Sequence, residues 1–363
     1  MTYSPPTSYR SRRRASSRAK RWGIVVACIA VLGAVAWPVL NYFDVFSDKG
    51  DAISFGGGSS DGKGSAGSKA LMPTGPKADF TVSGTVPEDG SKIAVTTYQG
   101  KQSGFTGKVW VWAPKQYNDP KYKDSGFPVL IALPGGAGYP NNYWMGTNLK
   151  LEASIQKWAD AGESLPFILA MPVLNPENHD LDKHDPKAGL YWDGSDIPGQ
   201  PKMGTWLTED VPQLIKENFR TIKSRDGWAF MGSSTGGSAG LKSVLQKPDK
   251  FKAVIASGPD IVPDSRLWAG HEKEKEDNDS NVLAKRLIAK GGPDVCLGLQ
   301  VGASEPVKPP IDKFVATYGN KGPVKTKYHV IPDGDHNAAT YVPNMESGGL
   351  IQWISQHMQG PVS

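Results

Sequence analysis

Ser234 stands between Gly232 and Gly236 and follows an apolar run, Trp228-Ala-Phe-Met231. A serine hydroxyl is a weak nucleophile at neutral pH. A protein that uses one must lift it clear of the backbone and set a base beside it. A strand that turns sharply into a helix does the lifting, and flanking glycines leave room for the turn and for a substrate. The spacing predicts a nucleophile elbow and attack on a carbonyl carbon. Two other segments share the G-x-S-x-G pattern. Gly58-Ser-Ser60-Asp-Gly62 lies in a Gly/Ser-rich stretch with no strand before it, and Gly236-Gly-Ser238-Ala-Gly240 sets its serine inside the helix. Only Ser234 has the strand–turn–helix context that the chemistry requires.

The base must be oriented by an acid, and in chains that carry such an elbow the order is serine, acid, histidine. Four histidines follow Ser234. His271 opens a highly charged stretch, His329 lies in a strand-like run and His357 in a terminal helical one. His336 sits in Pro332-Asp-Gly-Asp-His-Asn337, a loop just past a strand, where the base is needed. For the acid, the run Val295–Val301 leads into Gly302-Ala-Ser-Glu-Pro306, which puts Glu305 in the loop before the last strand. Asp312, Asp260 and Asp264 are the alternatives. Asp335 adjoins His336, and neighbouring side chains rarely meet as a triad demands. The oxyanion that forms on attack needs two backbone N–H donors. Thr235, the residue after the nucleophile, supplies one. Gly136, in Leu133-Pro-Gly-Gly-Ala-Gly138 after an early strand, is the candidate for the other.

Elements of two kinds must position these residues. Lys108–Trp112, Pro128–Leu133, Phe167–Met171, Trp228–Met231, Phe251–Ser257, Val295–Val301 and Lys325–Ile331 read as strands. Helical patterns fall near 148–161, over Leu207–Phe219, after the elbow, near 279–290, before residue 325 and over Gly348–Met358. Alternation of this kind predicts an α/β fold, a mostly parallel central sheet covered by helices on both faces. Function then collects on the loops at the C-terminal strand ends.

The net charge of +5 comes from one end. Residues 1–22 carry seven Arg or Lys and no acid, which leaves about −2 for the rest and no argument for a nucleic-acid partner. Residues 23–43 contain no charge and are long enough to cross about 30 Å of hydrocarbon. With the basic block before them, they predict a transmembrane signal anchor, N-terminus in the cytoplasm and the bulk of the chain outside. A signal peptide cleaved at Ala34-Val-Ala36 is the rival. Residues 44–78 read as a Gly/Ser-rich linker and 79–363 as the catalytic domain. The chain has two cysteines, Cys28 and Cys296, so the domain can build neither an internal disulfide nor a cysteine zinc site. Glu177-Asn-His-Asp-Leu-Asp-Lys-His-Asp185 reads as a solvated loop, and neither a metal nor a cofactor is expected. Tyr139, Tyr143, Trp144, Tyr191, Trp192 and Tyr341 fall on loops near the active face and could line an acyl or sugar site.

Taken together, the chain over 105–358 resembles the putative-esterase family of α/β-hydrolases, which includes esterase D and the antigen 85 mycolyltransferases. The resemblance rests on Ala132-Leu-Pro-Gly-Gly136, Thr205-Trp-Leu-Thr-Glu-Asp-Val-Pro-Gln-Leu-Ile215, the elbow, Pro248-Asp-Lys-Phe-Lys-Ala-Val254 with Ser257-Gly258, and the His336 loop. It implies the α/β-hydrolase fold, Ser234 as nucleophile, Glu305 as acid, His336 as base, and oxyanion donors at Gly136 and Thr235. The early loop departs from the family in reading Pro-Gly-Gly where relatives carry His-Gly or Asp-Gly, and the elbow departs in its Ser-Thr. These differences bear on the substrate. The expected function is an anchored, extracytoplasmic serine esterase acting on an ester or acyl-lipid, with acyl transfer to an envelope hydroxyl as the alternative. A non-catalytic surface binding domain and a serine peptidase are further readings. Oligomeric state is not legible.

Overall fold

The structure is a computed structural model and describes residues 50–55, 68–177 and 190–363. Its centre is a nine-stranded sheet of β1 (Thr81–Thr85), β2 (Lys92–Gln99), β3 (Thr106–Trp112), β4 (Val129–Leu133), β5 (Ile168–Pro172), β6 (Trp228–Ser233), β7 (Ala253–Ser257), β8 (Val295–Gly302) and β9 (Val324–Ile331). The strand order is β9-β8-β7-β6-β4-β5-β3-β2-β1. Pairings from β9 through β5 are parallel, and those from β5 to β1 are antiparallel. β4, β5, β6, β7 and β8 are buried at every residue, as expected of parallel strands covered on both faces. The edge strand β9 is half exposed and carries Lys325 and Lys327, charges that discourage further pairing.

Among the described residues, helices of eight residues or more are α1 (Leu151–Asp160), α2 (Val211–Asn218), α3 (Thr235–Gln246), α4 (Ser280–Lys290), α5 (Lys308–Tyr318), α6 (Ala338–Ser347) and α7 (Leu350–His357). They cover both faces of the sheet. In α3, Gly240 lies against Phe230 and Val254. From α7, Leu350 reaches Gly298, which stands beside Ile255 on the face opposite Val254. The helix expected over Leu207–Phe219 is composite. Trp206–Asp210 is π-helical and α2 continues it. Its buried Asp210 accepts the N–H groups of Gln102 and Ser103, both at 2.9 Å, and so ties this helix to the turn between β2 and β3.

β1, β2 and α6 extend the expected elements. Residues on both sides of 56–67 are bonded to the body. Ala70–Leu71 pairs with Thr221–Ile222, and Phe55 stacks on Phe80 and Phe219. Residues 1–49, with the expected basic tail and anchor, and residues 56–67 of the expected linker lie outside the described residues. Among those described, no helix is long and apolar enough to cross a membrane.

Candidate active site

Register places the candidate residues at one end of the sheet. Leu133 pairs with Gly232, Ser233 with Ser257, and Gly302 with Ile331. The loops after β4, β6, β7, β8 and β9 therefore leave the parallel part of the sheet on the same edge. β5 and β6 lie on opposite sides of β4, so the chain changes direction across the sheet there, the usual place for a ligand crevice.

Ser234 is the residue between β6 and α3, with φ 52° and ψ −127°. Such a conformation costs on the order of 1–3 kcal/mol for a residue with a side chain and persists only when its surroundings impose it. The imposing contacts are visible. Ser234 N–H donates to Ser257 O at 2.8 Å, and Ser238 N–H donates to Ser234 O at 2.9 Å. The glycines of the motif are there for close backbone approach. A Cβ on Gly236 would fall 2.4 Å from the carbonyl oxygens of Leu133 and Pro134, and one on Gly232 would fall 2.6 Å from Gly236. Ser238 is inside α3, as its spacing predicted. Its hydroxyl donates to Ser234 O and accepts from Asp260 N–H. Ser60 lies outside the described residues.

Glu305 and His336 meet. His336 Nδ1 lies 2.6 Å from Glu305 Oε2. The Glu305 carboxylate is buried, and its Oε1 accepts from Gly302 N–H at 2.5 Å and from the Tyr341 hydroxyl at 2.7 Å. His336 keeps a quarter of its side chain exposed, as a base that must reach a substrate requires. Ser257 O holds the backbone of Ser234, while the next residue, Gly258, at φ +54°, lies against the pair. A Cβ there would stand 2.6 Å from Glu305 Oε2 and 2.9 Å from His336 Nδ1. The Ser234 hydroxyl has no hydrogen bond to His336 in this structure. Contacts of this kind are commonly loose until substrate binds.

The loop after β4 is pinned over the elbow. Asn142 Nδ2 donates to Ala132 O and Pro172 O, both at 2.8 Å, and Trp144 Nε1 donates to Leu133 O at 2.8 Å. The Tyr143 hydroxyl accepts from Gly135 N–H at 2.6 Å and is hydrogen-bonded to Ser233 Oγ. Burial pushes the Tyr143 phenol up from its ordinary value, so it stays protonated. Gly135 N–H is thereby occupied. Gly136 N–H, at φ +65°, and Thr235 N–H, the first of α3, have no backbone or side-chain acceptor among the described residues. These two are the donors expected for an oxyanion, and the N-terminus of α3 adds its positive dipole end.

None of the alternative acids is hydrogen-bonded to His336 among the described residues. Asp312 pairs with Lys308 and accepts from the Tyr328 hydroxyl. Asp260 and Asp264 line a cavity beside Thr235 and Ser238, where burial pushes them up to about 6 and about 7. Of the other histidines after Ser234, His329 meets Asn344, His357 meets Trp353 O, and His271 precedes the short helix Glu272–Glu276 without a side-chain capping bond. The aromatic residues mostly pack. Trp144, Trp192 and Tyr341 are buried. Residues 178–185 of the acidic–histidine cluster lie outside the described residues, and those described hold no cluster placed for a metal ion. Sequence reasoning missed the partners of the candidate residues: Gly302 N–H, Ser257 O, Gly258, and the hydroxyls of Tyr143 and Tyr341.

Comparison with known proteins agrees with this architecture. The chain is 26% identical over 193 residues to an uncharacterized protein of Corynebacterium glutamicum, covering 49% of this chain and 40% of that one. It is 26% identical over 140 residues to S-formylglutathione hydrolase of Mus musculus, covering 36% and 49%. The chain thus spans about half the length of the curated relatives it matches. Among solved structures, a ferulic acid esterase superposes with a TM-score of 0.57 at 18% identity, over 74% of this chain and 99% of that one. An S-formylglutathione hydrolase from Agrobacterium tumefaciens gives 0.54 at 19%, over 74% and 96%. At these identities the likeness shows the fold, that of the α/β-hydrolases. The family model described as "Putative esterase" matches residues 105–347, two thirds of the sequence, and the chain belongs to that family.

Proposed function

We propose that this protein is a serine carboxylic ester hydrolase that works through an acyl-enzyme on Ser234. The observation that carries the reading is the Glu305–His336 pair at 2.6 Å, its carboxylate buried and its imidazole partly exposed, on loops that leave the same sheet edge as the strained Ser234. Glu305 orients the imidazole through Nδ1–H, which leaves Nε2 to take the Ser234 proton as Oγ attacks the ester carbon. The carbonyl electrons move onto oxygen, where Gly136 and Thr235 N–H groups stabilise the charge. Collapse of the tetrahedral species expels the alcohol, which leaves with the proton from His336. Water then attacks the acyl-enzyme with His336 as base and releases the free acid. An acceptor hydroxyl in place of water makes the same site an acyltransferase.

The domain is placed outside the cytoplasm in this reading, tethered by residues 23–43. The uncharged segment behind seven basic residues supports that placement. The test is product analysis with the full-length chain on short-chain and envelope-lipid esters, with and without sugar acceptors. Free acid as the product supports hydrolysis, and transferred acyl product moves the assignment to transfer. A folded chain that makes neither, and that no serine-directed probe labels, leaves only a binding role on this fold.

A further inference from the structure

We propose that Tyr341 is a positioning residue for the Glu305–His336 pair: its hydroxyl fixes the carboxylate so that one oxygen alone faces the imidazole. The proposal rests on the catalytic reading above and adds a residue to it.

Tyr341 is on α6, five residues past His336, and is 1% exposed. A buried hydroxyl needs a partner, and this one donates to Glu305 Oε1 at 2.7 Å. Burial, and then the Glu305 carboxylate, push the phenol far above its ordinary range, so it remains a donor. With Gly302 N–H on the same oxygen, Oε1 is filled and Oε2 is left for His336 Nδ1. The phenol oxygen also lies 3.1 Å from Nδ1, and the two rings meet edge to face at 89°. Rotation of either the carboxylate or the imidazole would break one of these contacts.

The tyrosine is itself held from the sheet. Gln300 Nε2 donates to Tyr341 O at 3.1 Å and to Ser257 Oγ at 2.7 Å, while Gly258 N–H donates to Gln300 O at 2.8 Å. Gly258 leaves the space the hydroxyl occupies, for a Cβ there would stand 2.5 Å from it. A tyrosine that merely packed would lose nothing as phenylalanine. This one also draws charge from Glu305, and so tempers the pull of the carboxylate on the imidazolium that forms during attack. Beside His336 stand Glu305 after β8 and Tyr341 on α6, and Asp260 after β7 lies near enough to feel its charge, while Asp335 acts on the Tyr341 phenol.

The experiment compares full-length wild type, Tyr341→Phe and a chain with 3-fluorotyrosine at 341, using kcat and KM for a p-nitrophenyl ester from pH 5 to 9. For Tyr341→Phe, kcat falls roughly tenfold with KM within about twofold, the cost of one hydrogen bond to a charged group. The acidic limb of its kcat/KM profile moves up by about half a pH unit, because the carboxylate regains charge. Fluorotyrosine, a stronger donor of nearly the same size, moves the limb the other way and covers the case in which phenylalanine misfolds. The downfield Nδ1 proton resonance of His336 reads the same contact without turnover and shifts in both variants. An unmoved limb and an unmoved resonance overturn the proposal. Wild type and Ser234→Ala run alongside: if both hydrolyse the ester equally, the esterase reading fails, and the resonance still decides the role of Tyr341.

Discussion

Ser257 O accepts the backbone N–H of Ser234 at 2.8 Å, and the residue after Ser257 is the glycine that lies against Glu305 and His336. One peptide thus sets both the nucleophile and the acid–base pair. Neither residue reacts, yet the backbone between them touches both halves of the candidate triad.

Gly258→Ala tests that contact. The added methyl would sit within 2.9 Å of Glu305 Oε2, His336 Nδ1 and the Tyr341 hydroxyl, at a φ of +54° that alanine adopts reluctantly. The expected result is a loss of kcat of roughly a hundredfold or more and a fall in stability of about 1–3 kcal/mol. Steady-state kinetics and urea denaturation check both. An alanine variant with wild-type kcat would mean that the pair has more room than these contacts allow.

Tyr143→Phe tests the loop over the elbow. The variant loses the bonds to Gly135 N–H and Ser233 Oγ and leaves that N–H without its acceptor, at a cost of about 1–3 kcal/mol in stability. Because the loop carries Gly136, kcat is expected to fall roughly tenfold with little change in KM. An effect confined to KM would place the loop in substrate binding and not in stabilising charge.

Glu152→Gln tests a buried carboxyl far from this chemistry. Glu152 is wholly buried in the first turn of α1, neither oxygen meets a donor from another residue among the described residues, and burial pushes it up to about 8. Its folded value is raised above the ordinary 4.5, so the neutral acid suits the fold. Its contribution is fully present below about pH 4.5 and is lost as pH rises toward 8, by about 1.4 kcal/mol per pH unit. Glutamine removes that slope. The variant should match wild type near pH 4.5 and exceed it at pH 8 by urea denaturation. A constant difference across that window would show that Glu152 does not titrate there.

Much of this site was legible because strands and turns leave strong marks. The continuous apolar runs of β4 to β8 announce buried parallel strands, and loop position after such runs picked out Ser234, Glu305, His336 and Gly136. β1 escaped because Thr-Val-Ser-Gly-Thr is half exposed and lacks an apolar face. α6 escaped because Pro343 stands inside it and breaks the helical pattern, so Tyr341 read as a loop aromatic lining the site and not as a helical partner of Glu305. The partners of Glu305 escaped for other reasons. Gly302 N–H reaches it across a three-residue turn at the end of β8 that has no side-chain mark, and the Tyr341 hydroxyl comes from α6, which the strand β9 and the His336 loop bring alongside.

An esterase on this fold needs Ser234 as its nucleophile. Labelling of the full-length chain with a fluorophosphonate, followed by mass spectrometry of the digest, tests it directly. One adduct is expected, on the peptide that carries Ser234, and it is abolished in a folded Ser234→Ala variant. An adduct on another residue, or none on a folded wild-type chain, would contradict Ser234 as the nucleophile.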